Sequence, residues 1–168
     1  MFYAFVHYPA VDTICINQLR RKYDPQVDLI DPHITIVFPV PESVGEQSLV
    51  LHIQKTLREW KPFTIHLQGV QPSWDHYLFL LIQEGNADVI RLHDELYTTL
   101  LAGYDRDDLP FVPHVTLGSF TEGRQRCLQA LEQAEQMELD YQSVVDRLHL
   151  VKINNDRSQI IWSKEFLL

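Results

Sequence analysis

Apolar positions along the chain recur with two different periods, and the switch between them marks out the elements. Phe2 to Tyr8 is a dense aromatic and aliphatic run stopped by Pro9, which predicts a strand; Val11 to Tyr23 then takes helical spacing. Pro32-His-Ile-Thr-Ile-Val-Phe-Pro39 is a short apolar run closed by proline at both ends, a strand with restricted entry and exit. Leu49, Ile53, Leu57 and Trp60 repeat every three to four residues and predict a helix from Glu42 to Trp60. Two strands follow, Phe63 to Val70 and Tyr77 to Gln83. A helix from Asp88 to Leu101 carries Val89, Leu92, Leu96 and Leu100 on one face and ends at Gly103.

The same order then returns. Phe111-Val-Pro-His-Val-Thr-Leu-Gly-Ser-Phe120 predicts a strand, followed by a helix from about Glu122 to Gln136, strands at Leu139 to Val144 and Leu148 to Ile153, and a last strand from Gln159 to Leu167. Strand, helix, strand, strand thus occurs twice, which predicts an α+β fold. In it, two mostly antiparallel sheets with flanking helices form a bilobal, pseudo-twofold arrangement with the active cleft between the lobes. With 168 residues and no low-complexity or linker-like stretch, one domain over 1–168 is expected, with approximate halves 1–103 and 104–168 that are not independent domains.

Inside this pattern, two strands carry polar residues where a buried strand has none. His33 and Thr35 lie two apart, as do His114 and Thr116, so each pair projects to one face while Ile34 and Val115 point to the other. Two imidazoles can divide the work of phosphodiester chemistry. One neutral ring activates the attacking oxygen, one protonated ring supplies the leaving oxygen, and the threonine hydroxyls donate to the non-bridging phosphate oxygens. Nothing in this division of labour requires a metal or a cofactor.

Accident is a poor explanation. With eight histidines and 15 serines and threonines, roughly 0.7 His-x-Ser/Thr match is expected by chance, the risk any short motif carries. Here both matches use Thr, both follow Pro directly, and both have aliphatic residues at the x position and after Thr. Because proline is only about 5% of residues, two such strings arise together by accident in roughly one case in thousands.

Pro32-His33-Ile34-Thr35-Ile36 and Pro113-His114-Val115-Thr116-Leu117, 81 residues apart, resemble the paired HxTx motifs of the two-histidine (2H) phosphoesterase superfamily. The short chain is similar to its 2′-5′ RNA ligase-like phosphoesterase group over nearly its whole length. The resemblance implies a hydrolase acting on a cyclic phosphate or 2′-5′ phosphodiester of a small nucleotide or RNA end. Such a cyclic phosphodiesterase can also run in reverse as a 2′-5′ RNA ligase. It further implies His33 as proton donor and His114 as proton acceptor; the residues themselves leave that order open, since the two motifs are alike. Several longer members have a basic residue soon after the second motif, where this chain reads Gly118-Ser119-Phe120. The expected site is therefore the four motif side chains, without Lys152 or Arg124. A different class of reading is a non-catalytic module that binds a phosphate or RNA end and retains the site.

Charge limits the partners. A formal net charge of −9 excludes an extended nucleic-acid surface, which needs many phosphate-neutralising cations, but leaves room for one phosphate held by local donors. No stretch approaches membrane-spanning length, and the start lacks the basic and apolar regions of a secretory leader. Cys15 and Cys127 are too few for a disulfide framework, so the expected setting is cytoplasmic with reduced thiols. The other histidines, 7, 52, 66, 76, 93 and 149, have no metal-site spacing and are expected in surface or hydrogen-bonded core roles. Phe5, Tyr8, Phe38, Trp74 and Phe120 are expected in packing rather than on a nucleobase.

Overall fold

The computed structural model describes residues 1–106, 110–121 and 123–168. In chain order the elements are β1 (Phe2–His7), α1 (Ile14–Tyr23), β2 (Ile34–Pro41), α2 (Glu46–Leu57), β3 (Phe63–Pro72), β4 (Tyr77–Ile82), α3 (Asn86–Leu96), β5 (His114–Ser119), α4 (Arg124–Glu135), β6 (Asp140–Val145), β7 (Arg147–Ile153) and β8 (Ile160–Leu167). The fold is α+β, as the alternation of periods predicts. The strands run in the order β6-β3-β4-β5-β2-β1-β7-β8, with antiparallel pairing throughout.

The two expected sheets are two four-stranded halves of one continuous sheet, joined at its centre through a single residue pair, Ile34 with Val115. The lobes interleave along the chain: β1, β2, β7 and β8 build one, and β3 to β6 the other. Helices are exchanged in the same way. α1, which leads into β2, packs on β5, while α3, which leads into β5, packs on β2. Ile34, Ile36, Val115 and Leu117 join Ile16, Leu19, Val89, Leu92 and Ala130 in the core that fills the helical side.

The seam is short because side chains from α3 occupy the edge of β2 beyond it. His93 donates Nδ1–H to the Ile36 carbonyl at 2.8 Å, and the Tyr97 hydroxyl accepts from the Phe38 N–H at 3.0 Å. These are backbone groups that a longer ladder to β5 would have paired, and the buried Ile36 carbonyl in particular needs a partner. The two side chains supply them, and the halves splay apart.

Several boundaries differ from the sequence reading for local reasons. The Glu42 to Trp60 helix is interrupted by a short 3-10 turn at Glu42–Val44 and by Gly45 at φ +85°, so α2 begins at Glu46. α3 stops at Leu96 rather than Leu101. Thr98 donates its hydroxyl to the Glu95 carbonyl, and Thr99 turns to φ +50°, which a helix does not allow. β5 begins at His114, since Pro113 has no N–H to give a ladder. The expected start of the fourth helix, Glu122, lies outside the described residues. Gly118 is buried, and a Cβ there would come within 2.7 Å of the Tyr23 Cβ and 2.8 Å of the Phe120 ring. Close packing between β5 and α1 thus occupies the place where longer relatives were expected to differ.

Candidate active site at the seam

Alternation along β2 and β5 turns His33, Thr35, His114 and Thr116 to the face opposite the core, and all four are partly buried between fully buried neighbours. The antiparallel pair Ile34–Val115 makes them cross-strand neighbours: Thr116 stands opposite His33, and His114 opposite Thr35. The seam thus brings all four predicted residues together. Neither threonine hydroxyl has a hydrogen-bond partner among the described residues.

The two imidazoles are held alike. His33 lies with Nδ1 2.9 Å from the carbonyl of Asp31, and His114 with Nδ1 2.6 Å from the carbonyl of Val112. A carbonyl only accepts, so in both rings Nδ1 carries the hydrogen and Nε2 is left to exchange a proton. Each proline fixes the backbone between that carbonyl and its histidine. The motif is therefore a device that anchors one ring nitrogen and frees the other.

Burial pulls the affinity of both rings for protons below the ordinary histidine value. For His33 the backbone hydrogen bond and the carboxylates of Asp24 and Asp31 act against that pull, while Arg20 adds to it. His114 is pushed down to about 4, first by burial and further by the charge His33 would carry; the Val112 hydrogen bond and Asp75 act the other way. That the rings feel one another is a consequence of the seam. Two coupled imidazoles titrate as a pair, and the charge on one disfavours a second proton on the other.

Aromatic rings flank the pair. Tyr8 stands edge-on to His33 with centroids 6.2 Å apart and to His149 at 5.1 Å. Phe79 stacks on His114 at 3.4 Å and 18°, with Tyr77 beyond it. A cavity of about 380 Å³ opens beside Tyr8, lined also by His7, Ser143 and Arg147. Of these residues the sequence assigns Tyr8 to packing and His7 and His149 to surface or hydrogen-bonded core roles; Phe79 carries no signal, because non-local pairing brings it there. Lys152 is committed elsewhere, to Glu42 at 2.6 Å and to the face of Tyr3. His52, His66 and His93 have hydrogen-bond partners, and buried His7 donates Nδ1–H to the Arg147 carbonyl at 2.9 Å while its Nε2 is unpaired. Among the described residues no group of three or more His, Cys, Asp or Glu side chains is placed to hold a metal ion.

The buried histidines set an acid limit on stability. His7, His33 and His114 all have lowered proton affinity in the folded chain, in each case chiefly through burial. Between about pH 6.5 and each folded value the unfolded chain binds more protons, so stability is full above that window and is lost as pH falls through it, by up to about 1.4 kcal/mol per pH unit and histidine. The urea midpoint should therefore drop between pH 7 and pH 5; a flat midpoint would contradict the burial of these rings.

A curled antiparallel sheet with one His-x-Thr strand on each side of its seam is the architecture of the two-histidine phosphoesterases. The chain belongs to the 2'-5' RNA ligase superfamily, whose family model matches residues 8–157. It is 28% identical over 154 residues to a Bacillus licheniformis protein named "Putative phosphoesterase", covering 90% of this chain and 89% of that one. A protein of the same name from Geobacillus thermodenitrificans is 26% identical over 157 residues, covering 90% and 87%. Among solved structures, Escherichia coli LigT complexed with NADP+ has the same fold, with a TM-score of 0.63 at 20% identity over 99% of this chain and 96% of that one. LigT complexed with 3'-AMP gives 0.60 at 19% identity, covering 99% and 97%. Among the described residues no helix is long and apolar enough to cross a membrane.

Proposed function

We propose that this phosphoesterase acts on a cyclic phosphate or a 2′-5′ phosphodiester of a small nucleotide or RNA end, with His114 as base, His33 as acid, Thr35 and Thr116 as phosphate donors, and no metal or cofactor. The observation that carries the reading is the seam itself. Two imidazoles with free Nε2 atoms and two unengaged hydroxyls share one face across a single cross-strand pair. In hydrolysis, His114 Nε2 takes a proton from water as the water oxygen bonds to phosphorus. The bond from phosphorus to the departing ribose oxygen breaks, and that oxygen takes the proton from His33 Nε2. Water then returns the proton from His114 to His33. Burial holds His114 far below the ordinary histidine value, which keeps it neutral and able to accept a proton near neutral pH.

A small nucleotide suits the flanking rings of Tyr8, Tyr77 and Phe79 and the acidic chain; LigT has been solved with NADP+, 3'-AMP and ATP. With a 5′-hydroxyl in place of water as nucleophile on a 2′,3′-cyclic phosphate, the same base takes its proton and the same acid protonates the departing 3′ oxygen, which leaves a 2′-5′ linkage. A cytoplasmic setting belongs to the proposal, in keeping with two free cysteines. The test is a screen of the purified chain, with EDTA present, against 2′,3′-cyclic mononucleotides, 2′-5′ dinucleotides and cyclic-phosphate RNA ends. Turnover that survives chelation is expected. Activity lost in EDTA and restored by one divalent ion would overturn the two-histidine mechanism, and binding without turnover of any of these would favour the non-catalytic module.

A further inference from the structure

The two motifs are so alike that their own backbones offer no reason for one histidine to give a proton and the other to take it. Each ring is anchored through Nδ1 to the carbonyl two residues upstream, behind a proline, beside a threonine. Whatever distinguishes them comes from the elements packed around them, the neighbouring strands among them. On the far side of β5, Thr116 pairs with Phe79 of β4; on the far side of β2, Thr35 pairs with Val6 of β1. These are equivalent places in the two lobes, and they hold very different side chains.

Phe79 lays its ring on the His114 imidazole, nearly parallel at 3.4 Å between centroids. Val6 is buried in a small cluster with Ala4 and Val151, and the ring nearest His33 is that of Tyr8, edge-on and almost twice as far away. One histidine is therefore capped on a face by a hydrocarbon ring and the other is not. We propose that Phe79 is the positioning residue that breaks the symmetry of the two motifs. By covering one face of His114 it keeps that ring neutral, so that His114 takes the proton and His33 gives it. This rests on the two-histidine reading above.

Two effects of a stacked ring oppose one another. An aromatic face attracts an imidazolium, by about 0.5–1 kcal/mol at exposed sites and up to about 2 when desolvated, while exclusion of water disfavours the charged form by up to several pH units. In this proposal desolvation outweighs the attraction, because Phe79 covers the ring face at 3.4 Å where water would otherwise solvate an imidazolium. The charged surroundings do not supply the asymmetry through a cation fixed beside His114. That ring faces Asp75 from the β3–β4 connection and His33 from β2. His33 faces Arg20 and Asp24 at the end of α1, Asp31 on its own approach, and Tyr8 on the β1 side, with His149 of β7 and Glu165 of β8 behind it.

The test is a histidine-ring NMR titration of the intact chain without substrate, paired with the pH profile of kcat. Phe79→Val reproduces at β4 the residue that β1 carries, and Phe79→Tyr keeps the ring face; Phe79→Ala is a second way to uncap the imidazole should the valine variant fold poorly. The uncapped variants should move the His114 midpoint up by about one pH unit or more, carrying the acid limb of kcat with it, whereas Phe79→Tyr should leave both in place. A His114 midpoint that stays put or falls in both uncapped variants overturns the proposal, falling being the mark of a cation–π attraction. The titration needs no turnover, so absence of phosphoesterase activity would sink the two-histidine reading while the shift of His114 still decides the role of Phe79.

Discussion

His33→Ala and His114→Ala should each cut turnover by about 10²–10⁴-fold on whichever substrate the screen identifies, since each removes one of the two proton transfers. The two variants should differ in what restores them. If His33 protonates the departing oxygen, a substrate whose leaving group needs no proton recovers part of the rate lost in His33→Ala and none of that lost in His114→Ala. Recovery in His114→Ala alone would reverse the assignment, and full activity in both would remove the histidines from the mechanism. Thr35→Ala and Thr116→Ala leave acid and base in place and remove one donor to the phosphoryl oxygens, so a loss of roughly a hundredfold is expected in each.

The largest effect on stability is expected from Arg20→Met. Arg20 is only 2% exposed, its Nε lies 2.7 Å from a carboxylate oxygen of Asp24, itself 8% exposed, and Nη2 donates to the Ile30 carbonyl at 2.7 Å and to Gln26 at 3.4 Å. One side chain thus ties the end of α1 to the whole approach to β2. Removing it strands a buried carboxylate and frees two carbonyls, which costs about 3–5 kcal/mol when one partner of a buried pair is lost. Urea denaturation at pH 7 measures this; a loss below about 1 kcal/mol, the range of an exposed pair, would mean that the approach is held by other contacts. The same approach carries Asp31, whose carbonyl anchors His33.

Much of the molecule was legible in the sequence wherever the deciding forces are local. Pro32 and Pro113 set the backbone before each histidine, and strand alternation alone puts His33 with Thr35 and His114 with Thr116 on the face away from Ile34 and Val115. The helical faces were equally plain: Leu49, Ile53 and Leu57 on α2 and Val89, Leu92 and Leu96 on α3 are all buried, as their spacing predicts. The departures at Gly45 and Thr99 are backbone turns at φ +85° and +50°. Hydrophobic period does not report them, because Leu100 and Leu101 continue the pattern past the end of the helix.

What the sequence by itself determined, then, is the α+β class and two matched pairs of side chains, each on one face of its own strand. Only the tertiary structure decided that the pairs meet, through one bridge between Ile34 and Val115, and that His93 and Tyr97 from α3 end that bridge by taking the next backbone groups of β2. It alone set Phe79 against His114 and Tyr8 beside His33. The physical reason is one of range. Periodicity and proline act over a few residues, but pairing joins residues about 80 apart in the chain, and its register is chosen by burial of both lobes at once. The surroundings that differ between two nearly identical motifs therefore come from elements that the motifs do not contain.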